Sequence, residues 1–276
     1  MQTLRLLSDP MLRQIYLPGV LAGTCTVLMC GLLSPLVVVK RLGFIGQGIS
    51  HSAFGGVGVA AMLAAFGLIA TGGVGEFAVI AIFCIAAALG MGLLADRKRT
   101  SEDTTIGLFL VGSMAAGALL VAAARTEAPR RGHPIDARSW ESILFGSVMN
   151  AGHTEVVLAA IVLIGVTLAV WAIRRPLLFW AFDEDAARAF GVPARGMRIA
   201  LMILLALVVV TAMKTVGVVL ASALLVLPGA TAMKLSTRLL TVTVLSLLIA
   251  LIGLVAGLII SIEQNWQPVP LSHTSL

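Results

Sequence analysis

The sequence predicts an all-α polytopic membrane protein, a transmembrane helix bundle of about eight spans. Of 276 residues, 59% are hydrophobic and 12% are charged, whereas a soluble domain carries about 25% charged residues. Mean hydropathy is +1.05. The charges also sit between apolar runs of spanning length, about 20 residues each, and rarely within them. For that reason the balance of 19 basic to 13 acidic residues does not point to nucleic acid. Cys25, Cys30 and Cys84 fall inside apolar segments and read as small core hydrophobes.

Taken in order, residues 1–15 are short, mixed and interrupted by Pro10. They read as an interfacial lead-in, because no small-residue cleavage site follows a basic start. The first span runs from about Tyr16 to Val39 and stops at Lys40-Arg41. The second opens at Gly43 and continues to about Ala70. The turn TGGVG leads to Glu76 and a third span ending near Ala95. DRKRTSED separates it from a fourth, about Thr104 to Ala124.

A long polar connection, RTEAPRRGHPIDARSWES, precedes ILFGSVM, which is apolar but too short to cross. The fifth span covers about Glu155 to Ile173. The apolar block Ile199 to Ala232 is too long for one crossing of about 20 residues. It predicts two spans turning near Lys214-Thr215, the second carrying Pro228. An eighth span covers about Leu239 to Ile262, and residues 263–276 form a polar tail. Residues 1–276 thus read as a single transmembrane domain.

With the amino terminus outside, the inner connections hold 12 of the 19 basic residues and the outer ones 7. That bias favours this orientation, although Arg125, Arg130, Arg131 and Arg138 in one outer loop argue the other way.

The stretch GFIGQGISHSAFGGVGVA, Gly43 to Ala60, carries a histidine and an amide inside a predicted span. On a helix, Gln47, His51 and Gly55 share one face, and Gly48, Ser52, Gly56 and Ala60 form the adjacent stripe. The second stripe has the small-xxx-small pattern of closely packed helices in lipid. His51 lies about 15 Å beyond Arg41, near the middle of a hydrocarbon core of about 30 Å. Polar groups at that depth are costly unless they line a cavity, which makes them functional candidates. A neutral imidazole suits zinc, manganese or iron, and the Gln47 amide oxygen is a weak second ligand. The competing reading is a buried histidine hydrogen-bonded to a neighbouring helix.

FDEDAARAFGVP, Phe182 to Pro193, reads as a short helix between spans. Asp183, Glu184 and Asp185 match the positive end of its dipole, and Gly191 followed by Pro193 ends it. Phe182, Ala186, Ala189 and Phe190 give it an apolar stripe that suits a groove on a partner or, alternatively, the lipid surface. In KTVGVVLASALLVLPGATAMKL, Gly217, Ala221, Ser222, Gly229 and Ala232 favour tight packing, and Pro228 breaks the backbone ladder. Such a span lines a pathway or packs within a bundle. The sequence has no GxxxxGK[ST] loop, HExxH or nucleophile elbow. Any ATP hydrolysis therefore belongs to another chain.

Five segments in order, RLGFIGQGISHSAFGGVGVA, DTTIGLFLVGSMAAG, SWESILFGSVM, FDEDAARAFGVP and KTVGVVLASALLVLPGATA, resemble the permease subunits of bacterial ABC importers for zinc, manganese and iron. The likeness covers about residues 16–262. It implies half of a homodimeric channel in the inner membrane, beneath an extracytoplasmic metal-binding protein, with a dimer of cytoplasmic ABC ATPases that bind ATP and Mg2+. It also implies that residues 182–191 form the coupling helix and that His51 contacts the ion. The family motif usually reads Gly-Asp-x-x-x-His, and here Gln47 replaces the aspartate. A neutral amide adds no charge to a divalent site, which tilts the expected cargo toward zinc, ahead of manganese or iron. The family usually continues with one more span, so this member is expected either to lack it or to be truncated. Two other classes stay open. A secondary carrier would need titratable residues within the spans, and a non-transporting scaffold would leave the His51/Gln47 face unused.

Overall fold

The computed structural model describes residues 10–95, 102–132, 146 and 152–263. Among these the chain forms nine helices and no strand. They are α1 (Pro10–Val39), α2 (Gly43–Ala65), α3 (Val74–Ala95), α4 (Glu102–Arg130), α5 (His153–Phe182), α6 (Glu184–Ala189), α7 (Ala194–Val216), α8 (Val218–Leu235) and α9 (Leu239–Glu263). All but the six-residue α6 are long and apolar enough to cross a membrane. Helices are what such a sequence must form in lipid, because each backbone N–H and C=O then finds its partner within its own segment.

The bundle is organised around α7. Of its most apolar window 78% is buried, against 11% for α5 and for α9, which lie at the rim. Leu201, Leu205, Val208, Val209 and Ala212 are fully enclosed. α1 and α2 come next in burial, at 67% each, and α2 packs most closely against α4 and α3. The small stripe makes this possible. A methyl group at Gly58 would fall 2.8 Å from Gly117 of α4, and one at Gly56 3.1 Å from the Ile80 backbone of α3. Across the same contact, Ser113 of α4 donates to Ser52 at 3.3 Å.

Several helix ends differ from the sequence reading. α2 stops at Ala65, not near Ala70, because Gly67 takes a left-handed φ of +72° and the Leu68 N–H reaches back to the Leu63 carbonyl. α4 runs on to Arg130, stabilised at its exposed end by Glu127 facing Arg130 and Arg131 at 3.3 and 3.4 Å. α5 passes through Arg174-Arg175-Pro176 without ending and finishes at Phe182. Both arginines are exposed and can extend to the membrane surface, so they mark no boundary. The corner between α7 and α8 is Gly217, with φ +85°, and not Lys214. It is packed from outside by Gly146, where a methyl group would stand 2.4 Å from the Gly217 nitrogen. The remainder of ILFGSVM, the lead-in before Pro10 and the tail after Glu263 lie outside the described residues.

Candidate functional site

α1 ends in a tight turn that sets the direction of α2. The Leu42 N–H donates to the Val37 carbonyl at 2.8 Å, and Arg41 occupies the left-handed position with φ +56°, where glycine is usual. From this turn α2 rises with Phe44, Gln47 and His51 along one side. Phe44 and Gln47 are exposed and His51 is half-buried. His51 Nδ1 is enclosed yet has no hydrogen-bond partner among the described residues, and the ring lies nearly parallel to Phe54 at 6.3 Å. The polar face is thus open at Gln47 and closes over His51.

The other glycine-rich positions have packing partners. Gly48 lies against Ile106 and Met91, and Gly55 against Phe83 and Ser113. Gly43 and Gly46 face Val226 and Leu225 of α8. In α8 itself, Pro228 is buried, the Gly229 N–H donates to Ser34 Oγ of α1 at 2.7 Å, and Ser222 donates to its own Val219 carbonyl. The proline break is a close contact between α8 and α1, where a methyl group on Gly229 would meet Ser34 at 2.6 Å. No group of three or more His, Cys, Asp or Glu side chains converges among the described residues. The cysteines form no disulfide.

The second constellation stands at the opposite end of α1 from Pro10. Asp183 caps α6 by accepting from the Ala186 N–H at 2.8 Å. Ala187 is the residue of α6 that is buried, while Phe182, Ala189 and Phe190 stay exposed and Ala186 is partly so. Phe190 leans on Phe179 of α5 at 5.8 Å. Gly191, with φ +82°, turns the chain toward α7. Glu184 points the other way. Its carboxylate meets Lys40 at 3.1 Å, Arg188 at 2.7 Å and Arg198 of α7 at 3.4 Å. Burial alone would raise this carboxyl. Hydrogen bonds from Lys40 and Arg188 and the charges of Lys40 and Arg198 outweigh that and hold it below the ordinary glutamate value. Lys40 also lies over the buried Trp180 ring at 4.0 Å.

A third charged contact lies at the other end of the bundle. Lys214, near the end of α7, meets Glu76 in the first turn of α3 at 3.5 Å, with side-chain exposures of 4% and 14%. Glu76 also accepts from the Gly72 N–H, which ties down the loop between α2 and α3.

The sequence reading used Lys40 for the end of the first span and for orientation, and took Lys214 as a turn marker. The available signal was that Lys214 is the lone charge in its apolar block, and such residues find partners. Arg198 carried no comparable signal, since its pairing depends on how α6 folds back.

Eight spanning helices, with α7 the most buried of them, define a multi-pass membrane protein of the inner membrane, with a short amphipathic helix at one face. The chain belongs to the ABC 3 transport family, whose model matches residues 13–271; this is the permease family that the sequence segments resemble. It is similar to the manganese transport system membrane protein MntC of Halalkalibacterium halodurans, at 31% identity over 95% of this chain and 84% of that one. The chelated iron transport system membrane protein YfeD of Yersinia pestis is 29% identical over 93% of this chain and 80% of its own. Among solved structures, PsaBC from Streptococcus pneumoniae in complex with Fab superposes with a TM-score of 0.75 at 26% identity. That match covers 94% of this chain and 86% of the other.

Proposed function

We propose that the chain is the permease subunit of an ATP-driven importer that passes a divalent transition metal into the cytoplasm, with His51 contacting the ion in transit. The observation that carries this is His51 itself. It is an imidazole in the interior of a spanning helix, with Nδ1 enclosed and unpartnered, on a face that opens at Gln47. That arrangement disfavours the reading of a core histidine bonded to a neighbouring helix. One chain supplies one imidazole and one amide here, whereas transition-metal sites commonly take four or more ligands. A second copy with its own α2 face would double the set, which supports a homodimer with the pathway between copies.

On this reading α6 is the coupling helix. Ala189 of α6 and the flanking Phe182 and Phe190, all exposed, with Ala186 between them, meet a cytoplasmic ABC ATPase that binds ATP and Mg2+. A metal-binding protein delivers the ion at the other face. The neutral Gln47 beside a nitrogen donor favours zinc ahead of manganese or iron. The relatives named for manganese and chelated iron favour the other cargoes, and a competition assay separates the two.

His51→Ala is expected to abolish uptake of radiolabelled zinc and manganese in a strain lacking its own importers, with normal membrane insertion. Full uptake would return His51 to a core role. Gln47→Asp adds a harder oxygen donor one turn away and is expected to move the transport ratio toward manganese. An unchanged ratio would mean that residue 47 does not face the ion.

A further inference from the structure

We propose that the groove between α1, α5 and α9, at the end of the bundle carrying α6, is a binding site for an anionic phospholipid. The groove encloses about 520 Å³, within the range of small-molecule sites. Leu32 and Leu36 of α1, Val170 and Leu177 of α5, and Leu240 and Thr243 of α9 line it, a surface suited to an acyl chain. Its rim is cationic. Arg174 borders the groove and lies over Trp171 at 5.3 Å. Arg175 and Arg238 flank lining residues and are exposed. None of the three arginines has a carboxylate partner among the described residues.

A second copy of the chain fits this groove poorly. A two-fold interface offers each patch only what the patch itself contains. α1 has no carboxylate, and the acidic residues of α5 and α9, Glu155 and Glu263, lie at the opposite ends of those helices. A copy seated there would bring arginines to arginines. A lipid phosphate supplies the missing anion, as in basic pockets between spanning helices on the cytoplasmic side. The groove also reaches Phe182, the last residue of α5 before α6, so its occupant touches the base of the proposed coupling helix.

The test places benzoylphenylalanine at Thr243 of the full chain, reconstituted in vesicles of phosphatidylcholine and phosphatidylglycerol. Illumination is followed by mass measurement of the adduct. The expected adduct is phosphatidylglycerol, enriched about fivefold over its share of the bilayer, as one guanidinium near the headgroup would give. Arg174→Gln should return the adduct to the bilayer ratio. Arg195→Gln, a cation beside a separate small cavity between α3, α6 and α7, should leave the enrichment intact. An adduct in bilayer proportion from the parent, equal loss with Arg195→Gln, no loss with Arg174→Gln, or an adduct with a second copy of the chain would each overturn the proposal.

Discussion

At the end of the bundle carrying α6, one carboxylate, Glu184, meets three cations, from the turn after α1, from α6 and from α7. At the opposite end one carboxylate, Glu76, meets one lysine, and that lysine is almost wholly enclosed. Arg188, Arg198 and Lys40 of the first group are 60%, 30% and 15% exposed, so losing the carboxylate leaves charges that water reaches to different degrees. Losing Glu76 takes one carboxylate away from Lys214 where water barely enters. The first arrangement is a partly hydrated junction at which three elements share one anion. The second fixes α3 to α7 and holds the α2–α3 loop through Gly72. Similar chemistry thus serves as a joint at one end and a rivet at the other, and depth decides which.

The comparison is broken most directly at the buried end. Removing one partner of a buried pair typically costs about 3–5 kcal/mol. Glu76→Gln is therefore expected to lower the thermal midpoint of the detergent-solubilised chain sharply and to reduce its yield in the membrane. The double variant Glu76→Gln with Lys214→Met removes both charges and should recover most of the loss. A single variant as stable as the parent would mean that the pair is not desolvated.

At the other end the largest effect is expected on association, not on folding. Ala186→Arg puts a guanidinium on α6 beside the exposed Ala189 and the flanking Phe190. Against a partner surface it would bury an unpaired charge, about 3 kcal/mol, which is over a hundredfold in affinity. On a lipid surface the same side chain would reach the phosphates and be tolerated. Co-purification with the cognate ATPase, and ATP hydrolysis stimulated by the loaded binding protein, separate the two. Undiminished association would sink the coupling-helix assignment.

What the sequence made legible follows the same division. The spans were readable because lipid leaves a helix as the one local solution for an apolar run. The small stripe of α2 was readable because its spacing is fixed by helix geometry. Asp183, Glu184 and Asp185 were legible as the start of a short helix, yet only the fold separates their tasks. Asp183 caps, and Glu184 turns inward to Lys40 and Arg198. Those partners lie far off in sequence, so no local pattern announces them. Arg174-Arg175-Pro176 was misread as a boundary because charges and proline usually mark one. In α5 the arginines face outward and the helix continues to Phe182.

The smallest expected effect tests whether the partly hydrated junction transmits motion. Lys40 precedes the turn that sets the direction of α2, so Glu184 links α6 to the helix carrying His51. Glu184→Gln removes the charge of that link while its amide oxygen can still accept from Lys40 and Arg188, and pairs that water reaches, as at the 60% exposed Arg188, contribute roughly 1 kcal/mol or less each. The thermal midpoint should therefore shift little, whereas metal taken up per ATP hydrolysed should fall. Glu184→Asp, which keeps the charge, should restore part of it. The pH dependence fixes the sign. A carboxyl held below its ordinary value stabilises fully above the unfolded pKa, about 4.3 for glutamate, and that contribution is lost as pH falls through the lower folded value. The difference between parent and variant should consequently stay constant from pH 7 to pH 5 and vanish only in stronger acid. A difference that disappears between pH 7 and pH 5 would place the titrating group elsewhere. Unchanged uptake per ATP would reduce the Glu184 junction to a structural contact, with no part in moving α2.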